Sequence, residues 1–191
     1  YTLDELEALS NVCRKAEIPL YLDGARLGYG LASPNTDVAL TDIARLCDVF
    51  YIGGTKVGAL FGEAVVARDH SLLRHFTPLV KQHGALLAKG RLLGIQFEAL
   101  FTDNLYQHIG THAIDMAMKL KEAFIVKGYR LHIDSPTNQQ FVCLSNATID
   151  RLAENATFEL WGPRGEKETV VRFVTSWATR EEDVDALISL L

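Results

Sequence analysis

Three charged residues occupy positions where a chain does not usually leave charge without a use. Asp23 closes the apolar run "PLYLD", Arg26 follows it in "DGAR", and Lys56 is the only basic residue of "DVFYIGGTKVGALFGEAVV". A lysine among apolar neighbours is available as a nucleophile toward a carbonyl carbon. An acid at a strand end can keep a proton on a heterocyclic nitrogen, and an arginine can take a carboxylate or a phosphate through its planar fork. Each residue alone has a plainer reading. Lys56 could be a loop lysine whose stem carries its charge to solvent, and Asp23 could cap the turn after its strand through backbone N–H groups. "GGTK" also lacks the GxxxxGK[ST] spacing of a phosphate loop.

The elements that must position these residues alternate. "TLDELEALSNVCRKAEIPL" predicts an opening helix, with Thr2 as N-cap, Glu5 at the capping-box position and Leu6, Leu9, Val12 and Cys13 on its apolar face. "PLYLD" predicts a short strand and "GARLGYGLASP" a glycine-rich loop. "TDVALTDIARLC" predicts helical turns with Asp42 in reach of Arg45. "DVFYIGGT" and "ALFGEAVVA" read as strands, "DHSLLRHFTPLVKQHG" as mixed helix and loop, and residues 85 to 104 as one long half-buried helix. This order favours an α/β layer with a parallel or mixed sheet. Gly53 and Gly54 leave room for backbone or for a bulky ligand beside Lys56, just past a strand end, where α/β sheets bind ligands.

From about residue 106 the texture changes. An amphipathic helix closed by Gly128 precedes the strands "YRLHI" and "QQFVCLS". A short helix capped by Asn146 comes next, then the strands "TFELWG" and "TVVRFVTSW", and a terminal helix capped by Thr179. We therefore divide the chain into residues 1–105, part of a larger α/β domain, and residues 106–191, a small α+β domain, with no flexible linker between them.

Composition narrows the function. With 191 residues, 48% of them hydrophobic, the chain can bury a substantial core. A net charge of -5 without any basic run argues against a nucleic-acid surface. No apolar run approaches a membrane span and no signal segment opens the chain, so a cytoplasmic location is expected. Cys13, Cys47 and Cys143 are far apart, outside any CxxC spacing, and read as reduced core residues with no metal role.

Taken together, the strand-end acid, the lysine at a second strand end and the nearby arginine supply what a pyridoxal 5'-phosphate site needs. "YLDGARLGYG" and "FYIGGTKVGALFGEAVV" resemble the threonine aldolase and β-eliminating lyase group of fold-type I pyridoxal phosphate-dependent enzymes. "KQHGALLAKGRLLG" is similar to a helix start of that family, and "VVRFVTSW" to its C-terminal arginine strand. The resemblance covers the whole chain and is strongest over residues 18 to 66.

The resemblance implies that Lys56 carries the cofactor aldehyde, Asp23 pairs with the pyridine nitrogen, and Arg26 and Arg172 bind the substrate carboxylate. It also implies that Thr55, in place of the family's usual serine, offers its hydroxyl to the cofactor phosphate. Lys81 stands where the family usually has an arginine near that phosphate, with Arg74 a weaker candidate. The implied reaction is cleavage of a β-hydroxy-α-amino acid to glycine and an aldehyde by a homodimer or homotetramer. The phosphate loop and the ring-stacking residue would then lie outside this chain, which reads as the C-terminal part of a longer subunit. β-Elimination and transamination use the same residues and remain open, as does a scaffold or binding module in which Lys56 is an ordinary loop lysine.

Overall fold

The computed structural model describes all residues, 1–191, and divides them into two compact units, Tyr1–His108 and Ile109–Leu191. In the first unit, α1 (Leu3–Lys15) begins at a complete capping box. The Thr2 hydroxyl accepts from the Glu5 N–H at 3.3 Å and the Glu5 carboxylate accepts from the Thr2 N–H at 2.9 Å. Of the expected apolar face of α1, Leu6 is buried, whereas Leu9 and Val12 are exposed. β1 (Tyr21–Leu22), α2 (Leu27–Leu31), α3 (Leu40–Leu46), β2 (Val49–Gly53) and β3 (Glu63–Ala67) follow. Asp42 does pair with Arg45, at 3.3 Å. The sheet is mixed, in the order β1-β2-β3, with β1 parallel and β3 antiparallel to β2.

Beyond β3 come a 3-10 turn at His70–Leu73, α4 (Phe76–Gln82) and α5 (Arg91–Phe101). The single helix expected over 85 to 104 is therefore shorter. Gly84 takes a positive φ of 71° just ahead of it, and residues 85 to 90 form turns. At its far end Asp103 and Asn104 adopt left-handed backbone, which interrupts the helical run. α5 is also more open than its periodicity implies, since Leu100 is its one buried residue.

α6 (Leu105–Val126) runs from the end of the first unit into the second and is followed by Gly128 at a φ of 81°. The second unit continues with β4 (Arg130–Ile133), β5 (Gln139–Ser145), α7 (Asn146–Ala153), β6 (Glu159–Leu160), β7 (Glu168–Val174) and α8 (Glu181–Leu190). Its strands pair antiparallel in the order β4-β5-β7-β6. Alternation along β7 sends Thr169, Val171 and Phe173 inward and leaves Arg172 on the opposite face. Val171 and Phe173 join Phe124, Val142, Leu144 and Leu152 in a core in which each large apolar side chain contributes about 1.5–3 kcal/mol.

Two expected caps shift. Ser145, one residue before Asn146, caps α7 by accepting from the Thr148 N–H, while the Asn146 amide donates to the Gly165 and Glu166 carbonyls. Arg180 takes the N-cap position of α8 without a side-chain bond, because the Thr179 hydroxyl accepts from the Ser176 N–H instead. All three cysteines are free thiols; Cys47 and Cys143 are buried and Cys13 is half-buried. No helix is long and apolar enough to cross a membrane.

Candidate active site

β1 delivers Asp23 to the end of the first sheet. The parallel register that pairs Leu22 with Phe50 sets Asp23 level with Tyr51, whose hydroxyl donates to Asp23 Oδ1. The Ala25 N–H donates to the same oxygen at 3.1 Å. Gly24 is required where the chain turns, since a Cβ there would stand 1.7 Å from the Tyr51 carbonyl oxygen. Asp23 itself is exposed. The Tyr51 hydroxyl, the Ala25 N–H and then the charges of Lys56 and Arg26 hold its carboxyl below the usual carboxylate range. The same bond pushes the Tyr51 phenol up to about 12.

Lys56 follows β2 in a turn fastened through its main chain. The Tyr106 hydroxyl accepts from the Gly28 N–H at 3.1 Å and donates to the Gly53 carbonyl at 3.0 Å. Glu63 Oε2 accepts from the Gly54 N–H at 2.6 Å, and the Tyr29 hydroxyl donates to the Lys56 carbonyl. Behind the turn, Gln96 of α5 accepts from the Leu60 N–H at 2.7 Å and donates to the Phe61 carbonyl at 3.2 Å. Lys56 is thus exposed, and its apolar sequence surroundings do not bury it: Val57 and Ala59 turn inward while the lysine turns out. The paired glycines are where other backbone comes close. A Cβ on Gly53 would lie 2.5 Å from the Gly24 oxygen and 2.6 Å from the Ala25 oxygen, and one on Gly54 would lie 2.6 Å from the Gly62 oxygen.

The first unit therefore brings Asp23, Arg26, Thr55 and Lys56 onto neighbouring segments. Arg26 is half-buried at the N-cap of α2, and the Thr55 hydroxyl donates weakly to the Gly62 carbonyl at 3.4 Å. Lys81 is exposed in the last turn of α4, and its side chain has no bond to the Asp23 or Lys56 segments; Arg74 is exposed ahead of α4. Arg172 belongs to the second unit. It is not a solvent-facing strand arginine, since only 16% of its side chain is accessible. It pairs with Glu159 on β6, donates to Gln139 Oε1 at 2.9 Å and lies 4.9 Å from the centre of the Trp161 ring. Its Nε is buried without an acceptor.

Sequence reasoning missed Tyr51, Glu63, Tyr29 and Tyr106. Of these, Tyr51 alone had a readable signal, the strand register that aligns it with Asp23. The residues present fit pyridoxal phosphate. Asp23 is an ionised carboxylate whose two hydrogen bonds both fall on Oδ1, so Oδ2 can accept from a protonated ring nitrogen, and Lys56 offers a free amine on a fixed turn.

The chain is similar to proteins that use such a site. The family model for β-eliminating lyases matches residues 1–154. A low-specificity L-threonine aldolase of Pseudomonas aeruginosa is 31% identical over 190 residues, which cover 98% of this chain and 54% of that protein. The structure of a threonine aldolase from Leishmania major superposes with a TM-score of 0.96 at 43% identity, over 100% of this chain and 56% of the other. A serine palmitoyltransferase of Sphingomonas wittichii, 14% identical with a TM-score of 0.66 over 97% of this chain and 49% of its own, shares the fold. The chain spans about half the length of the curated relatives it matches. The match over residues 1–154 and the superposition on a threonine aldolase agree, and the chain belongs to the β-eliminating lyase family of pyridoxal phosphate-dependent enzymes.

Proposed function

We propose that this chain carries the lysine, the acid and both arginines of an aldolase-type lyase that cleaves β-hydroxy-α-amino acids to glycine and an aldehyde. The observation that carries the reading is Asp23, an exposed carboxylate kept ionised, with Lys56 and Arg26 near enough for their charges to act on it. Likeness to the Leishmania major threonine aldolase favours aldol cleavage among the reactions open to these residues.

Bound pyridoxal phosphate supplies an electron sink joined to the substrate's α-amine, so that a bond at Cα can break. Lys56 Nζ would hold the cofactor through its aldehyde carbon. Asp23 keeps the ring nitrogen protonated, while the Thr55 hydroxyl and the Lys81 ammonium serve the phosphate. Arg26 and Arg172 are the arginines that take the substrate carboxylate, each through its planar guanidinium. Holding the carboxylate fixes which Cα bond is aligned for cleavage. In net terms the substrate gives up its β-hydroxyl proton and its Cα–Cβ bond and gains one proton at Cα, so a β-hydroxy-α-amino acid becomes glycine and an aldehyde with no net change in protons or electrons. The enzyme works as a homodimer or homotetramer in the cytoplasm.

Product analysis of the holoenzyme supplied with L-threonine and L-serine tests the reading. Glycine with an equal amount of aldehyde is expected; ammonia with a 2-oxo acid as the only products would sink it in favour of β-elimination.

A further inference from the structure

The hydrogen bonds around Asp23 are lopsided. Both the Ala25 N–H and the Tyr51 hydroxyl donate to Oδ1, so the carboxylate is gripped by one oxygen and the other is left to a further donor. Tyr51 is well placed for this grip. It lies within β2, paired with Val65 on β3, and its ring leans against Tyr21 with centroids 6.3 Å apart. A phenol anchored in a paired strand cannot follow the carboxylate as it rotates, so it fixes the carboxylate's torsion as well as its charge.

We propose that Tyr51 is a positioning residue, which holds Asp23 by Oδ1 so that Oδ2 is the oxygen offered to the cofactor's ring nitrogen. The inference rests on the pyridoxal reading of Asp23. Through that carboxylate, Tyr51 governs how fully the ring nitrogen stays protonated: a carboxylate that already accepts a phenol hydrogen bond competes less well for the shared proton. Tyr51 shares this grip with the Ala25 N–H, and it is the side chain that donates to the carboxylate. The charged and titratable groups acting on Asp23 are Tyr51, Lys56 and Arg26, and those acting on Tyr51 are Asp23, Tyr21 and Glu63.

Tyr51→Phe keeps the ring and removes only the donor. In the cofactor-free protein, carboxyl-carbon NMR follows the titration of Asp23 directly, and the midpoint should rise in the variant. 3-Fluorotyrosine at position 51, a stronger donor of the same shape, should move the midpoint the opposite way. In the holoenzyme, the pH midpoint of the visible absorbance of the Lys56-linked chromophore should rise in Tyr51→Phe, with kcat down about tenfold and KM unchanged. Equal Asp23 midpoints in wild type and Tyr51→Phe overturn the proposal. Asp23→Asn separates the two failures. If it leaves chromophore and kcat untouched, the pyridoxal reading of Asp23 falls; if it is damaging while Tyr51→Phe shifts neither midpoint, that reading stands and the role of Tyr51 falls.

Discussion

In the first unit the chain fixes the backbone of its key residue and frees the side chain; in the second it does the reverse. Around Lys56 the carbonyl of Gly53, the N–H of Gly54 and the carbonyl of Lys56 are each bonded by a side chain from elsewhere in the unit, while the ammonium is exposed. Arg172 sits in the regular ladder of β7, and its guanidinium is what Glu159, Gln139 and Trp161 hold. The difference suits the two tasks. In the proposed roles, a lysine that holds and releases a partner needs a fixed Cα and a mobile Nζ, whereas an arginine that orients a carboxylate needs a fixed fork.

The largest expected effect breaks the contrast at its free end. Lys56→Ala should lower kcat by about 10³-fold or more and abolish the bound chromophore, yet change thermal stability by no more than about 0.5 kcal/mol, because the side chain is exposed. A large loss of stability would mean that the lysine is structural. Next, Arg172→Lys keeps the charge but loses the planar fork, so kcat/KM should fall about 10- to 100-fold, mostly through KM. Unchanged KM for the amino acid would remove Arg172 from substrate binding.

Smaller effects fall on the fixed end. Gly53→Ala forces a Cβ against the Gly24 and Ala25 carbonyls and should cost about 1–3 kcal/mol, read by denaturant unfolding. Glu63→Ala exposes the Gly54 N–H and should cost about 1 kcal/mol, with faster amide exchange at Gly54 as its signature. The smallest effect lies at the pH extremes. Asp23 has a lowered folded pKa, so its contribution is present above the ordinary carboxylate value and is lost as pH falls through the lowered one. Tyr51 has a raised pKa, so its contribution is complete below about 10 and lost as pH climbs through about 12. In Asp23→Asn, absorbance at the tyrosinate band should show Tyr51 ionising nearer 10, the value of an unperturbed phenol.

The same contrast explains what could be read in the sequence. The Thr2–Glu5 capping box was legible because all of its partners lie within four residues. Asp23, Arg26 and Lys56 could be picked out as candidates because they lie at or just past strand ends. The bonds that fix the lysine turn join residues far apart in the chain, such as Tyr106 with Gly53 and Tyr29 with Lys56, and no local pattern announces them. Hydrophobic neighbours misled in a similar way. The run around Lys56 reads as buried, but a turn sends alternate residues to opposite sides, and periodicity over 85 to 104 took no account of the left-handed residues that end α5. Asn146 and Thr179 are good caps by type, but each had a competing partner in three dimensions.

One phenol carries a consequence for ligand capture. Tyr106 bonds both to the segment after Asp23 and to the residue that opens the lysine turn, and its ring is buried. It therefore works as a ruler, setting the spacing of acid and amine when the chain folds and before any ligand arrives. The entropy of aligning the two falls on folding and not on association, so incoming cofactor meets a gap of preset width.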